Sequence, residues 1–422
     1  MTTLRRVASR WQIVALALND VVGSGVYLLP AAAAAVLGFA SLWAVALAGT
    51  AVLLIVLCFA EASSHFDEPG GAYLYARNAF GPLIGFEVGW MTWLARVASV
   101  ASLSVGFAQA SSFLLPAAAE GLGRSLAIAL PLLVLTAINF VGVRSGVNAA
   151  VVLVVGKFLP LGIFVGVGLF AVSLPRVASQ QPLHQGGLAG AALLLLFAFA
   201  GFENTPAPAG EFKNPRRDLP FALLAEIAIV TVLYISVQWV ALGTVPDLAS
   251  SETPLADGAR IFLGNWGGWL LTVGAVISIL GTNSNSVLAG PRYLFALARD
   301  GFGPRFLAKV HPRYRTPGAA ILLQTSIALP LALTGSFAGL AILSVVARLI
   351  AYVATAAAVP ILRRRHATDD SFTLPGGSAI PIAAVAVSVM LLASASWRQL
   401  AAGAAALAVG AVIFRFRSLP RP

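Results

Sequence analysis

Asn19-Asp20-Val21-Val22-Gly23-Ser24-Gly25-Val26-Tyr27-Leu28-Leu29-Pro30 lies inside an apolar run from Trp11 to about Leu37. Uninterrupted, such a run spans a bilayer as one helix, since about 20 apolar residues suffice. Its middle holds two glycines, each costing a helix interior roughly 1 kcal/mol relative to alanine, and an acid, Asp20, stands just before them. Non-helical backbone at membrane depth is tolerated only where it is buried in protein or lines a water-filled cavity. Gly23-Ser24-Gly25 therefore reads as a break that turns free amide N–H groups into a cavity, with a second half-helix starting near Val26. Those amides carry partial positive charge and suit an anion such as a carboxylate. Small residues at this spacing also suit a close helix–helix contact.

Composition sets the class. The 422 residues are 59% hydrophobic and 10% charged, which makes a polytopic membrane protein and not a soluble one. Arg5, Arg6 and Arg10 lead straight into a full-length span without a cleavage-type site, so no removable signal is expected. The single cysteine, Cys58, excludes an intramolecular disulfide, and with no Cys/His cluster neither a metal nor another cofactor is expected. A net charge of +11 invites a nucleic-acid partner, but loop placement explains it better.

Apolar segments fall near residues 12–37, 41–64, 82–115, 125–143, 148–173, 187–210, 219–243, 266–298, 318–336, 338–362, 379–396 and 399–416, giving twelve expected spans. With the N-terminus inside, the inner segments hold most arginines and lysines, among them Arg77, Arg144, Arg299, Arg363, Arg417 and Arg421. The outer ones hold Arg124, Arg176, Arg260 and Arg398. The positive-inside rule then sets both termini in the cytoplasm of an inner-membrane protein. Charges left at membrane depth are informative because they are expensive there: Asp20, Arg96, Lys157, Glu203, Glu226 and Arg348. Glu61 and Glu87 lie nearer the cytoplasmic ends. For Glu61, Glu87 and Arg348 an interhelix ion pair or a snorkelling side chain is the preferred reading.

The sixth segment repeats the anomaly of the first. Between Phe197 and Gly210 it carries Gly201, Glu203, Asn204, Pro206 and Pro208. Proline removes a backbone donor and clashes with the preceding turn, so this helix is expected to open near residues 201–205. Two interrupted helices five spans apart imply an inverted second copy, the sequence pointer to an inverted-repeat transporter with its site between the breaks. Residues 11–363 form the expected core, as repeats of about 12–173 and 187–363, and 379–418 supply two peripheral helices. The long polar stretch Val245–Trp269 reads as an outer lid. The run Thr282-Asn283-Ser284-Asn285-Ser286 either ties helices together or lines the permeation route.

These residues resemble a known family. Gly23-Ser-Gly-Val-Tyr-Leu-Leu-Pro30 is similar to the first-helix signature of the amino acid–polyamine–organocation (APC) permeases. Pro69-Gly-Gly-Ala-Tyr-Leu-Tyr-Ala-Arg77 with Phe80-Gly-Pro82 looks like the first inner loop. Phe199-Ala-Gly-Phe-Glu203 with Glu211-Phe-Lys-Asn-Pro-Arg-Arg-Asp-Leu-Pro220 resembles the sixth helix and its following loop. Ala298-Arg-Asp-Gly-Phe-Gly-Pro304 with Thr316-Pro317 resembles the eighth-to-ninth loop. The likeness extends to about residue 363.

The resemblance implies an all-α fold of two five-helix inverted repeats, amino-acid or amine substrates, and a site shared by the two breaks. The implied substrate contacts are Val22, Gly23, Ser24 and Gly25 on the first break, which hold the carboxylate. On the sixth they are Phe197, Ala200 and Phe202, where opened carbonyls receive the amine and Phe197 is the gate. Asn285 joins the candidates from the polar run of span eight, on the reading that this run lines the permeation route. Lys157 falls where proton-coupled relatives carry a lysine and sodium-coupled ones a cation, so it argues for protons and against sodium as the coupling partner. Asp20 and Glu203 join it as coupling candidates. Asp20 departs from the neutral-substrate pattern: it either pairs with Lys157 or faces the cavity and attracts an amine. The expectation is a twelve-helix permease for small amino acids, proton-coupled or exchanging, in contact with membrane lipid and without a nucleic-acid partner. The other readings are a cationic amino-acid or diamine exchanger, and a membrane sensor of the same fold that does not translocate. An enzyme is not expected, for want of a nucleophile–base pair; the substrate's identity and the oligomeric state stay open.

Overall fold

The computed structural model describes residues 9–66, 70–141, 147–183, 187–206, 209, 212–366 and 371–415. Arg5, Arg6, Pro69, Arg144, Pro208, Gly210, Glu211, Arg417 and Arg421, used above, lie outside the described residues. Among the described residues the chain forms sixteen α-helices and no strand. They are α1 (Arg10–Val21), α2 (Gly25–Leu37), α3 (Ser41–Ser64), α4 (Gly71–Phe80), α5 (Pro82–Ser111), α6 (Gly121–Val141), α7 (Val147–Gly168) and α8 (Leu174–Ser179). There follow α9 (Leu188–Phe199), α10 (Pro215–Thr244), α11 (Pro254–Leu263), α12 (Asn265–Arg299), α13 (Gly318–Thr334), α14 (Phe337–His366), α15 (Ala379–Ala393) and α16 (Trp397–Arg415).

Eight helical stretches are long and apolar enough to cross a membrane, the first of them Gly25–Ser64, which holds both α2 and α3. Three more apolar helices, α9, α13 and α15, are shorter. The protein is thus an all-helical, multi-pass membrane protein. α5 lies at the centre and is buried along almost its whole length against α12 and α14, whereas α6 and α16 show most of their surface. Large apolar side chains stand exposed on α6 and α7, including Leu126, Leu130, Leu133 and Leu159, as a lipid-facing surface requires. The segment expected as a lid carries a short helix of its own, α11, packed on α12.

Both expected interruptions are present. α1 stops at Val21, with Val22 extended at φ −74°, ψ 93°, and α2 begins at Gly25, one residue earlier than the sequence indicated. α9 stops at Phe199. Ala200 is extended, and Gly201 adopts φ 145°, a region open to glycine alone. The chain then makes a single tight turn over Phe202–Asn204. The breaks touch: a Cβ on Gly201 would stand 2.8 Å from the Asp20 carbonyl carbon, and one on Gly25 would stand 2.5 Å from the Ala198 Cα.

The buried charges behave as membrane depth demands. Glu61 on α3 is fully buried and held by Arg363 of α14 through two hydrogen bonds of 2.6 and 2.7 Å, and by the Leu374 amide at 2.9 Å. Arg348 on α14 forms an ion pair with Glu203. The ion-pair reading therefore holds for Glu61 and Arg348. Glu87 has no ion-pair partner among the described residues, and its carboxylate oxygens lie buried against α16, beside Gly410.

Close backbone approach at the paired breaks makes one glycine irreplaceable and leaves another free. Gly25→Ala inserts a methyl into the Ala198 backbone, a kind of overpacking that costs typically 1–3 kcal/mol, so its melting temperature in detergent should fall by several degrees. Gly162→Ala, on α7 with nothing within 4 Å of the added carbon, should melt at or above the parent temperature, since alanine is the better helix former. Equal melting of the two variants would contradict the packing described.

Candidate functional site

Breaking a helix inside a membrane leaves backbone groups without partners, and the site is built from how those groups are satisfied. The last carbonyls of α1 are taken by side chains from two other helices. Lys157 of α7 is fully buried, and its ammonium donates to the Asn19 carbonyl at 2.7 Å, the Val22 carbonyl at 3.0 Å and the Thr282 hydroxyl at 3.1 Å. Ser278 of α12 donates to the Val22 carbonyl at 2.9 Å. Behind Lys157, the Tyr27 hydroxyl of α2 donates to the Lys157 carbonyl at 3.3 Å. One cation thus ties α1, α7 and α12 together.

Tyr234 of α10 donates to the Ala198 carbonyl at 2.9 Å. Two sets of groups are left over. The amides of Gly23, Ser24 and Gly25, at the N-terminus of α2, donate to nothing among the described residues, and the carbonyls of Phe199 and Ala200 accept nothing. Free donors at the first break and free acceptors at the second are the complements of a carboxylate and of an ammonium.

The junction encloses a cavity of ≈ 20 Å³ lined by Asp20, Gly23, Ser24, Gly25, Phe197 and Ala200, together with Arg96, Ser99, Thr282, Ser286 and Arg348. That is room for about one water-sized group. Phe197 packs edge-on against Phe337 at 5.9 Å, on the α2–α9 side of the junction. On the α1 side a cavity of ≈ 540 Å³ runs from Asp20, Asn204 and Asn285 past Tyr73 and Tyr293 to Arg292 and Arg299. Asp20 lines both spaces. The small cavity is thus closed by Phe197 on one side and adjoins an open vestibule on the other.

The sequence candidates sort into three groups. Gly23, Ser24, Gly25, Phe197 and Ala200 line the small cavity; Val22 contributes its carbonyl to Lys157 while its side chain is buried. Asn285 stands in the vestibule and donates to the Asp20 carboxylate at 3.0 Å. Phe202 lies elsewhere, fully buried between Phe59 (5.4 Å) and Tyr352 (5.1 Å). Its φ > 0 neighbour Gly201 turns the chain so that Phe202 points into the core.

Of the two alternatives for Asp20, pairing with Lys157 is not the one found, and Glu203, a coupling candidate, has partners of its own. Asp20 does not pair with Lys157: the lysine prefers the carbonyls one helical turn apart at the break, and Asp20 takes Asn285. Glu203 is already engaged, by Arg348, by the Tyr352 hydroxyl at 3.0 Å and by the Gly201 amide at 2.9 Å. The polar run on α12 does both jobs. Thr282 ties the break, Asn283 donates to Ser104 at 3.1 Å, and Asn285 and Ser286 face the cavities.

Sequence reading gave Arg96 no role beyond being a charge at membrane depth, and passed over Ser278 and Tyr234. The depth of Arg96 was itself the signal. Ser278 and Tyr234 sit in ordinary helical runs, and only the path of the broken backbone shows what they hold. The quoted loop motifs also find partners: Arg10 pairs with Asp218 at 2.8 Å, while Tyr73 donates to Asp300 at 2.9 Å and Arg77 lies 3.5 Å from it.

Comparison with known proteins shows the family. Residues 9–413 match the family model described as amino acid permease. The chain is 27% identical to the branched-chain amino acid permease BcaP of Bacillus subtilis (strain 168), over 98% of its own length and 93% of the relative's. It is 30% identical to the serine/threonine exchanger SteT of the same organism, over 90% and 88%. With the cationic amino acid transporter 4, vacuolar, of Arabidopsis thaliana it shares 29% identity over 89% of this chain and 66% of the relative. The resemblance carried by the Gly23–Pro30 signature is thereby established, and the chain belongs to the amino acid permease family of membrane transporters.

Proposed function

We propose that the protein is a proton-coupled or exchanging secondary transporter that moves amino acids across the inner membrane, with both termini in the cytoplasm. In this reading twelve helices cross the membrane, ten of them in two inverted repeats (about 12–173 and 187–363 within the core 11–363), with 379–418 peripheral. The observation that carries it is the junction itself: two touching helix breaks whose Gly23–Gly25 amides and Ala200 carbonyl have no partner among the described residues, all four residues lining one small cavity. An α-amino acid offers one carboxylate and one ammonium to these groups and neutralises both, once the cavity, water-sized in this conformation, widens to admit it. Phe197 closes the outer side, and the vestibule lined by Arg292 and Arg299 is the cytoplasmic exit. A sensor of the same fold needs no such exit.

Lys157 is the coupling residue in this scheme. Its charge is met by two carbonyls and a hydroxyl, with no carboxylate at ion-pair distance among the described residues. Dipoles hold a buried charge only while they stay close. When the break widens to open the cavity outward, the Asn19 and Val22 carbonyls retreat and the proton leaves; when they close again it returns. Nothing in the site favours the exchanger for cations, since Asp20 and Glu203 both already have donors.

Two substitutions test these assignments in liposomes. Lys157→Ala should lose accumulation driven by a pH gradient while retaining downhill exchange, and Lys157→Arg should also fail to couple, because arginine does not release its proton in this range. A sodium requirement in the parent protein, or concentrative pH-driven uptake by Lys157→Ala, would overturn the proton role. Asp20→Asn should weaken cationic and neutral ligands alike, by less than about tenfold, because its partner Asn285 can bond to an amide as well. A loss of ten- to a hundredfold confined to cationic ligands would instead make Asp20 the counter-charge of an amine.

A further inference from the structure

Resting on the amino-acid reading, we infer that the site selects substrates bearing a second carboxylate, and that Arg96 is the residue that selects them. Arg96 projects from the central helix α5 into the cavity at the junction, with only 3% of its surface exposed. Its single hydrogen bond runs from Nη1 to the Ser286 hydroxyl, at 3.3 Å. Nε and Nη2, the two donors that form a fork for a carboxylate, are buried and have no partner. A guanidinium left in that condition at membrane depth is costly, and nothing among the described residues offsets it.

The neighbouring charges leave Arg96 unbalanced. Arg348 lines the same cavity but is spent: it pairs with Glu203 and donates to Ser99 at 2.6 Å and Ser344 at 3.1 Å. Asp20, the one carboxylate lining the cavity, takes the Asn285 amide and makes no ion pair with Arg96. Ser24 adds a further buried hydroxyl without a partner in the same space. Two sets of groups that receive an anion, the α2 amides with Ser24 and the Arg96 fork, and one that receives a cation, the Ala200 carbonyl with Asp20 nearby, therefore line one space, which is water-sized in this conformation and must widen to admit a substrate. An amino acid with an acidic side chain carries that set of charges, two negative and one positive. A neutral amino acid leaves Arg96 unpaired, and a cationic one faces it with like charge.

The test compares near-isosteric pairs, glutamate against glutamine and aspartate against asparagine, as competitors for uptake of labelled glutamate and labelled glutamine by the purified protein in liposomes. The acidic member of each pair should bind about ten- to a hundredfold more tightly, the worth of one charge-assisted pair. Arg96→Gln should erase or invert that ratio, and Arg96→Lys should retain part of it. Uptake of glutamine with glutamate excluded or no better would sink this inference and leave the amino-acid reading standing; a folded protein that takes up neither, nor any other amino acid, would sink both. Equal weakening of glutamate and glutamine by Arg96→Gln would also overturn it, because Arg96 would then hold the α-carboxylate that both ligands share. Should that variant fail to insert, the ratio in the parent protein decides alone.

Discussion

The Lys157 ammonium on the Asn19 and Val22 carbonyls is the contact on which the rest depends. A transmembrane helix satisfies its own backbone; one that stops at mid-membrane exposes up to four carbonyls on one side and four amides on the other. Leaving even one such group buried and unpaired costs on the order of 1–3 kcal/mol. Lys157, Ser278 and Thr282 meet the carbonyl side of the first break, and Tyr234 meets part of the second. What remains unpaired is one row of donors and one of acceptors, so the same arrangement that stabilises the break also defines the ligand.

The two glycines that permit this geometry act in different ways. Gly201 provides a φ that other residues avoid, and so turns the chain at the end of α9 while its bare Cα rests on the Asp20–Val21 backbone. Gly25 has an ordinary helical conformation and is needed for space, since α2 and α9 meet there. The half-helices form two contacts, α2 with α9 and α1 with the turn after α9. In the transport cycle proposed above, a rigid-body tilt at one contact would open one face of the cavity while Phe197 and Phe337 keep the other closed, and would change the distances around Lys157 without unfolding any helix.

Much of this was legible in the chain. Glycines and prolines inside otherwise apolar runs located both breaks to within a residue or two, because helix-breaking residues at membrane depth have few other uses. Charges at depth named Lys157, Arg96, Glu203 and Arg348 as residues with partners to find. The partners themselves were not legible. Sequence spacing cannot say that Asp20 turns to Asn285 and away from Lys157, since that choice depends on where α12 crosses α1, some 265 residues away in the chain. Phe202 was placed in the site because it sits in the opened segment; the turn at Gly201 sends it into the core instead. Arg96, on an unbroken helix, was marked only as a charge at depth; its two idle donors and the cavity it lines are visible in the structure alone.

The central claim is that backbone groups from both breaks hold the two ends of one amino acid. Competition binding with derivatised ligands addresses it directly: a transported amino acid, its α-methyl ester and its N-acetyl form are compared on the purified protein. Each modification removes one charge and leaves the side chain intact. Losses of roughly ten- to a hundredfold for both derivatives are predicted, since each abolishes a charge-assisted contact in a buried site. An ester or an N-acetyl form that competes as well as the free amino acid would contradict the account.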